Sequence, residues 1–234
     1  MADIRSKWYP YNNVYPGYYD LSQTVYIPKK IINYILDMPD GDYEPIDDNT
    51  YPRTRLWKYL YYDGSNPEDN TLPTPDQKMS VLFDPDNPTN PPDSEKGYRL
   101  MPLPYVTQSQ TEAQTQLFVY LGNTIADNDI TFQMSVHFDI WTHYTEETSM
   151  KTDALSRTIA IEQAIMEAFH GIAMAGIGTF YFNRRKNSEC GSRVYKSKDG
   201  ELLRRLVMGI EISSETKNSE MRYNEVSFSG GFMG

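Results

Sequence analysis

The sequence predicts an α+β fold in which one long amphipathic helix packs on a small antiparallel sheet. The first observation is a strict alternation from Ile130 to Ile140, where even positions are apolar and odd positions are polar. A strand with this pattern is expected to bury one face and expose the other. The second observation is a helical spacing of apolar residues between Asp153 and Ala173. Strands and a helix that occupy separate stretches of the chain are typical of the α+β class.

A long irregular arm is expected before this core. Residues 1–27 are rich in Tyr, Asn and Pro, and their frequent Pro and Gly residues exclude a helix. We expect an extended arm whose aromatic rings are covered by its own domain or by a neighbouring subunit. The arm residues predicted to contact a neighbour are Trp8, Tyr9, Tyr15, Tyr18 and Tyr19.

Short helices and an acidic, Pro-rich loop are predicted over residues 28–113. Apolar residues at helical spacing indicate one helix over 28–37 and a second over 53–62. Pro, Asp and Asn dominate residues 65–96, and a loop of this length is usually functional or disordered. Within it, residues 78–83 are predicted to form a short strand or a docking segment.

The predicted α+β core domain occupies residues 114–234, and the whole chain is expected to form a single structural unit. The expected N-cap of the long helix is Thr152 or Asp153. A loop at 127–129 indicates a hairpin between the first two strands. The predicted strands lie at 117–121, 130–140, 179–182, 193–195, 206–212 and 224–228.

Charge is distributed unevenly along the 234 residues, whose formal net charge is −10. Between Asp37 and Glu95 there are 14 acidic and four basic residues, a surplus equal to the whole net charge. Between Arg184 and Arg205 there are eight basic and three acidic residues. Either these are solvated loops of opposite sign, or the acidic segment of one subunit faces the basic segment of the next in a closed ring. The candidate interface residues in the two segments are Asp84, Asp86, Arg184, Arg185, Lys186, Arg204 and Arg205.

Cysteine content and hydropathy exclude several classes of protein. A single Cys excludes an intramolecular disulfide framework and a zinc cluster of several thiolates. No apolar run approaches the roughly 20 residues that span a bilayer, and no secretory signal is visible at the N-terminus. We therefore expect no membrane partner.

Two groups of side chains have a reactive composition, and each has a simpler structural interpretation. His137, Asp139 and His143 share one strand face, but the spacing of an extended strand places His137 and His143 too far apart to bind one metal. Cys190 lies among basic residues that could lower its pKa, yet nothing in the sequence ties it to His170. Phosphate-binding glycine loops and the Gly-x-Ser-x-Gly motif do not occur. The sequence predicts no enzyme, and we expect no catalytic residue, metal or cofactor.

One stretch of the sequence resembles a known family. The strand that ends in FDIW (residues 138–141), a polar break and the helix at 154–169 resemble neck and tail-terminator proteins of tailed bacteriophages. The strings GYRLMP (97–102) and QTQLFVYLG (114–122) are similar to ring proteins in the neck of crAss-like phages. The resemblance implies an α+β subunit in a homo-oligomeric ring of six or twelve copies.

The same resemblance implies partners and a location. The portal or other neck and tail proteins would lie above and below the ring, and genomic DNA would pass through its lumen without sequence-specific binding. The protein would belong to the neck or tail of the virion and would assemble in the cytoplasm of the bacterial host. The alternative, based on the acidic, Tyr-rich composition, is a monomeric glycan-binding module without catalytic activity.

Overall fold

The computed structural model describes ten stretches of the chain: 27–36, 52–64, 66–89, 91–104, 114–126, 131–143, 145, 156–174, 178–196 and 201–213. The predicted arm and the predicted strand at 224–228 lie outside these residues. The described helices are α1 (Ile27–Leu36), α2 (Pro52–Tyr61), α3 (Pro75–Ser80) and α4 (Arg157–Phe169). The described strands are β1 (Leu100–Met101), β2 (Thr115–Ala126), β3 (Thr131–His143), β4 (Ala173–Met174), β5 (Gly178–Tyr181), β6 (Gly191–Lys196) and β7 (Glu201–Ser213).

A mixed seven-stranded sheet dominates the described residues. Its strand order is β1-β2-β3-β7-β5-β4. β6 pairs with residues 202–207 of β7, next to the stretch 209–211 that pairs with β5. β1 runs parallel to β2, whereas the other paired strands are antiparallel. The sheet curls into a half-barrel, and the helices are few. The predicted fold, a small antiparallel sheet with one long helix packed on it, is therefore wrong.

The sheet extends beyond the predicted strands because residues with the composition of a loop form one of its edges. Leu82 forms an isolated parallel bridge with Leu100, which begins β1, and both side chains are fully buried. These strand contacts are too short to produce a periodic pattern in the sequence. Their stability comes from burial against the rest of the sheet, which periodicity does not report.

Helix α3 occupies the first part of the short strand or docking segment predicted at 78–83, whereas the second part contains Leu82, which bridges to β1. The side chain of Thr74 accepts a hydrogen bond from the amide of Gln77, and the side chain of Gln77 accepts one from the amide of Thr74. This reciprocal capping box satisfies two amides that would otherwise lack a partner. The helix therefore begins at Pro75, and its last residue is Ser80.

Helices α1, α2 and α4 lie on one face of the sheet, and the alternation in β3 explains why. The even-numbered side chains of Met134, Val136, Phe138 and Ile140 are all buried in a core that they share with these helices. The predicted strand is thus confirmed and is longer than predicted, ending at His143. None of the described helices is both long enough and apolar enough to span a bilayer.

Helix α4 is shorter than the predicted helix over 153–173. It begins at Arg157, and its N-cap is Ser156, whose hydroxyl accepts a hydrogen bond from the amide of Ile159. It ends at Phe169, with His170 as the C-cap. The N-cap expected at Thr152 or Asp153 is therefore wrong, because a later Ser satisfies the first free amides of the helix.

The polar face of β3 is also buried, contrary to the half-buried strand that the alternation predicts. Asp139 is fully buried, and Trp141 packs with Tyr98, Met101 and Phe118 in a second apolar cluster. β3 lies between β2 and β7 and pairs with both. Alternation therefore identified the face that contacts the helices, but the opposite face is covered as well.

The first of two buried arginines joins the end of α2 to the sheet. The fully buried guanidinium of Arg99 donates to both carboxylate oxygens of Asp63, at 2.8 and 2.6 Å. The same group donates to the carbonyl oxygen of Thr115, the first residue of β2, at 3.4 Å. A buried charge is tolerated only when it is paired and hydrogen-bonded, as it is here.

The second buried arginine joins α4 to the same place. Nη1 of Arg157 donates to the carbonyl oxygens of Tyr62 and Tyr59, at 2.6 and 3.3 Å, where α2 ends. It also reaches the hydroxyl of Thr115 at 3.3 Å. A cation at the C-terminal end of a helix binds its free carbonyls and interacts favourably with the helix dipole.

Replacing Asp63 is expected to destabilise the fold because it leaves Arg99 buried without its counter-charge. We expect Asp63→Asn to lower the free energy of unfolding by about 3 kcal/mol, as measured by urea denaturation. The control is Glu95→Gln, the same type of change at an exposed carboxylate. This substitution should change the free energy of unfolding by less than about 0.5 kcal/mol. Equal effects of the two substitutions would contradict the assigned role of the Arg99 pair.

Candidate functional site

An ion pair occupies the middle of the sheet face that points away from the helices. Asp139 of β3 and Arg205 of β7 are cross-strand neighbours. The guanidinium of Arg205 donates to the two carboxylate oxygens at 2.7 and 2.8 Å, and the hydroxyl of Tyr120 donates to one of them at 3.0 Å. These donors satisfy a carboxylate that is fully buried. The hydrogen bond that Arg205 donates to Asp139 also raises the pKa of Arg205.

Both arginines predicted as interface residues on β7 are already engaged within the chain. Arg205 lies over the rings of Tyr120 and Tyr195, with ring-centre distances of 5.9 and 5.5 Å. Its neighbour Arg204 points to the other face of β7, where its Nη1 lies 2.9 Å from a carboxylate oxygen of Glu162 on α4. Neither Arg204 nor Arg205 is therefore an uncommitted cation for a partner.

A partly buried imidazole lies beside this ion pair. Among the described residues, neither ring nitrogen of His137 has a hydrogen-bond partner. Its Nε2 lies 4.0 Å from one carboxylate oxygen of Glu189, which comes from the turn that precedes β6. The other oxygen of Glu189 accepts a short hydrogen bond from the side-chain amide of Asn123 on β2. The turn is thus attached to the sheet by Glu189.

The surroundings of His137 favour its neutral form. Burial is the largest cause that lowers its pKa, and the positive charge of Arg205 lowers it further. Asp139 on the same strand and Glu189 on the turn act in the opposite direction, but with smaller effects. Tyr120 on β2 faces the same ring, with the two ring centres 5.0 Å apart.

The predicted reactive groups do not form a catalytic or metal centre in the described residues. Asp139 is held by Arg205, and His143 contacts the hydroxyl of Thr145 at 2.8 Å. Within the ten described stretches, no cluster of three or more His, Cys, Asp or Glu side chains could hold a metal. His170 accepts a hydrogen bond from the amide of Phe182 at 3.1 Å.

Cys190 is buried, and its environment differs from the one that the sequence suggests. Burial raises the pKa of the thiol and outweighs the backbone hydrogen bonds that lower it. The neighbouring basic residues of the sequence therefore do not activate it, and a thiol in this state is a poor nucleophile.

Exposed acidic residues lie at the β1 edge of the sheet. The loop 84–98 begins and ends there, because the segments 81–83 and 99–101 that flank it are hydrogen-bonded to each other. Asp86 and Glu95 are exposed on this loop. They are the acidic residues of the loop that a partner could reach most easily.

Asp84, another predicted interface residue, has a structural role in this loop. Its side chain is buried, and its carboxylate accepts hydrogen bonds from the amide of Asp86 at 3.0 Å and from the side chain of Asn87 at 3.2 Å. A short polar side chain that binds its own backbone in this way stabilises a turn. Asp84 therefore supports the exposed position of Asp86.

Exposed basic residues lie on the other side of the sheet, at the turn between β5 and β6 and on β6 itself. Arg184, Arg185 and Arg193 are exposed. The side chain of Lys186 is 53% exposed and forms an ion pair with Glu211 at 3.0 Å. In the strand order, β1 and the β5–β6 side are separated by β2, β3 and β7. The exposed acidic residues of the loop 84–98 and the exposed basic residues of the β5–β6 side thus lie at opposite edges of the sheet.

The structure sorts the predicted interface residues into three groups. Asp86, Arg184, Arg185 and Lys186 are exposed, although Lys186 also pairs with Glu211, whereas the side chains of Asp84, Arg204 and Arg205 are less exposed and are held by partners within the chain. Trp8, Tyr9, Tyr15, Tyr18 and Tyr19 lie outside the described residues. Arg193 and Glu95 are further exposed residues of the two charged segments, and they were not among the predicted interface residues.

These features define a β-rich protein with two exposed edges of opposite charge. A comparison with protein families identifies the family of this chain. The model of the YomW family matches residues 54–208, well over half of the chain. The chain belongs to the YomW family, and the match includes both charged edges. The family is named after a gene product of a Bacillus phage region, which associates the chain with bacteriophages. No curated protein matches the chain.

Acid is expected to destabilise the fold through His137. Because burial lowers the pKa of His137 in the folded state, the unfolded chain binds this proton at a higher pH. The free energy of unfolding should therefore fall as the pH decreases from about 6.5, the ordinary pKa of His, through the lower folded value. Urea denaturation across this pH range should show that the free energy of unfolding falls less in His137→Gln than in the wild type.

The exposed His170 provides the control. In His170→Gln, the free energy of unfolding should fall with decreasing pH as it does in the wild type. An unchanged pH dependence in His137→Gln would contradict this account.

Alkylation should report the burial of Cys190. We expect iodoacetamide to modify this thiol at least about 100-fold more slowly in the native protein than in urea, because the thiol is covered and its pKa is raised. Mass spectrometry over time measures both rates. Rapid modification of the native protein would show that the turn before β6 opens readily.

Proposed function

We propose that this chain is a structural virion protein whose copies form a closed ring in the neck or tail of a tailed bacteriophage. As a head-to-tail connector or tail terminator, the ring would surround the passing DNA. The family association with phage supports the setting. The single observation that carries the proposal is the placement of exposed charges of opposite sign at opposite edges of one sheet.

The placement favours a head-to-tail contact between copies. If the acidic loop 84–98 of one copy meets the basic β5–β6 side of the next, each copy uses both of its edges. Repeating the same contact generates a closed ring when the rotation between copies closes, whereas a two-fold dimer joins the same surface of both copies and would leave one of two opposite edges unused. Charge complementarity of this kind fixes the orientation of the partners and excludes the reversed one.

The proposed ring has six or twelve copies, with the portal or other neck and tail proteins above and below. Genomic DNA would pass through the lumen without sequence-specific binding. The ring would form in the cytoplasm of the bacterial host and remain in the virion. The proposal requires no catalytic residue and no cofactor.

A monomeric glycan-binding module has less support. Such modules bind sugars on open aromatic faces, and Tyr120 and Tyr195 are the aromatic rings beside the central ion pair. Arg205 already lies against both rings. This arrangement leaves less aromatic surface for stacking than the Tyr-rich composition suggests.

Charge reversal tests the proposed contact. We expect Asp86→Lys with Glu95→Lys, or Arg184→Glu with Arg185→Glu, to weaken assembly at least about tenfold, because each pair places like charges across the interface. Combining all four substitutions should restore assembly. Glu167→Lys, a reversal at an exposed residue of α4 outside the loop 84–98 and the β5–β6 segment, is the control and should have no effect.

Mass photometry of the full chain over a range of protein and salt concentrations measures these effects. Salt should weaken assembly of the wild type, because exposed charges are screened. If each reversed pair assembles like the wild type, the charge contact is wrong. If the wild type remains monomeric under all these conditions, the ring is wrong.

A further inference from the structure

Among the described strands, β6 has a partner along only one of its two backbone edges. It runs from Gly191 to Lys196 and pairs with β7 along one side, and no other described strand pairs with it. Alternate residues of such a strand direct their amide and carbonyl groups away from the sheet. An edge of this kind can accept an additional strand through main-chain hydrogen bonds.

Exposed apolar side chains accompany this edge. Large exposed hydrophobic residues are rare in the described stretches, and they are Ile125, Val194 and Tyr195. Val194 and Tyr195 are adjacent in β6, so they point to opposite faces of the sheet. The edge therefore carries an apolar side chain on each face, as a strand that packs against a partner requires.

Side-chain contacts on both faces of the sheet hold β6 in place. The hydroxyl of Ser192 donates to a carboxylate oxygen of Glu162 on α4 at 3.0 Å. On the other face, the ring of Tyr195 lies against Arg205. These contacts keep the strand extended before any partner binds, which reduces the entropy lost on association.

Charge identifies the partner that this edge fits. Arg193 is exposed on β6, and Arg184 and Arg185 are exposed on the turn before it. A partner must therefore present acidic groups, and the opposite edge of this same chain does so with Asp86 and Glu95. A second copy of the chain carries the complementary surface.

We infer that the outer edge of β6 is the docking strand for a second copy of this chain. The incoming copy adds backbone hydrogen bonds and covers Val194 and Tyr195, while the basic and acidic edges orient it. This inference rests on the proposed ring and goes further, because it places main-chain pairing, in addition to charge, at the interface between copies.

A pair of matched substitutions tests the inference. Val194→Asp places a negative charge at the proposed contact, where it would face the acidic edge of the incoming copy, and Ile125→Asp makes a matched change at a residue of β2 with nearly the same exposure, 44% against 45%. We expect Val194→Asp to weaken assembly at least about tenfold in mass photometry, with no change for Ile125→Asp. Circular dichroism should show that both variants remain folded.

Hydrogen exchange provides the second measurement. In the assembled full chain, the amides of residues 192–196 should exchange at least about tenfold more slowly than in the dilute monomer. If the ring forms but β6 exchanges equally in both states and Val194→Asp assembles normally, the docking strand is wrong and the ring proposal stands. In that case the charged residues on β6 serve to prevent strand pairing. If the wild type never assembles, both proposals fail.

Discussion

The contacts of two buried arginines at Thr115 hold the helical layer on the sheet, and the rest of the structure depends on them. Arg99 binds Asp63 beyond the end of α2, and Arg157 binds the carbonyl groups at the same end. Both also reach Thr115, the first residue of β2. A buried guanidinium that lost these partners would be strongly destabilising, since its desolvation would remain uncompensated. The fold therefore requires helices and sheet to form together.

A second pair of arginines fixes the strand on which the basic edge is built. Arg204 and Arg205 are adjacent in β7, and they bind Glu162 on α4 and Asp139 on β3, respectively. A register shift of one residue would move each guanidinium to the wrong face of the sheet. Because β6 pairs with β7, this register also determines where the exposed side chains of β6 lie. The internal ion pairs thus position the surface that we propose as an interface.

Local periodicity was enough to predict the elements with strong patterns. Helices expected at 28–37 and 53–62 lie at 27–36 and 52–61, and the alternating strand is confirmed. Periodicity could not predict β1, whose two residues depend on neighbours distant in sequence. The fold class was wrong because β2, β3 and β7 are longer than their periodic stretches and because β1 and β4 add to the sheet.

The charged segments were likewise visible in the sequence, but the roles of individual residues were not. Asp84, Arg204 and Arg205 look like their exposed neighbours in the sequence, and only the structure shows that each has a partner within the chain. The predicted resemblance to phage proteins agrees with the family at the level of phage association. The ring itself remains a proposal, supported by two oppositely charged edges.

Cross-linking between isotopically distinct copies tests that proposal most directly. Equal amounts of unlabelled and ¹⁵N-labelled chain would be assembled together and treated with a carbodiimide, which joins carboxylates to amines in contact. Links between Lys186 and Glu211, 3.0 Å apart in one copy, provide the internal reference. The head-to-tail account predicts mixed-isotope links from Lys186 to Asp86 or Glu95. Mixed-isotope links that join only equivalent regions of two copies, or none at all, would contradict it.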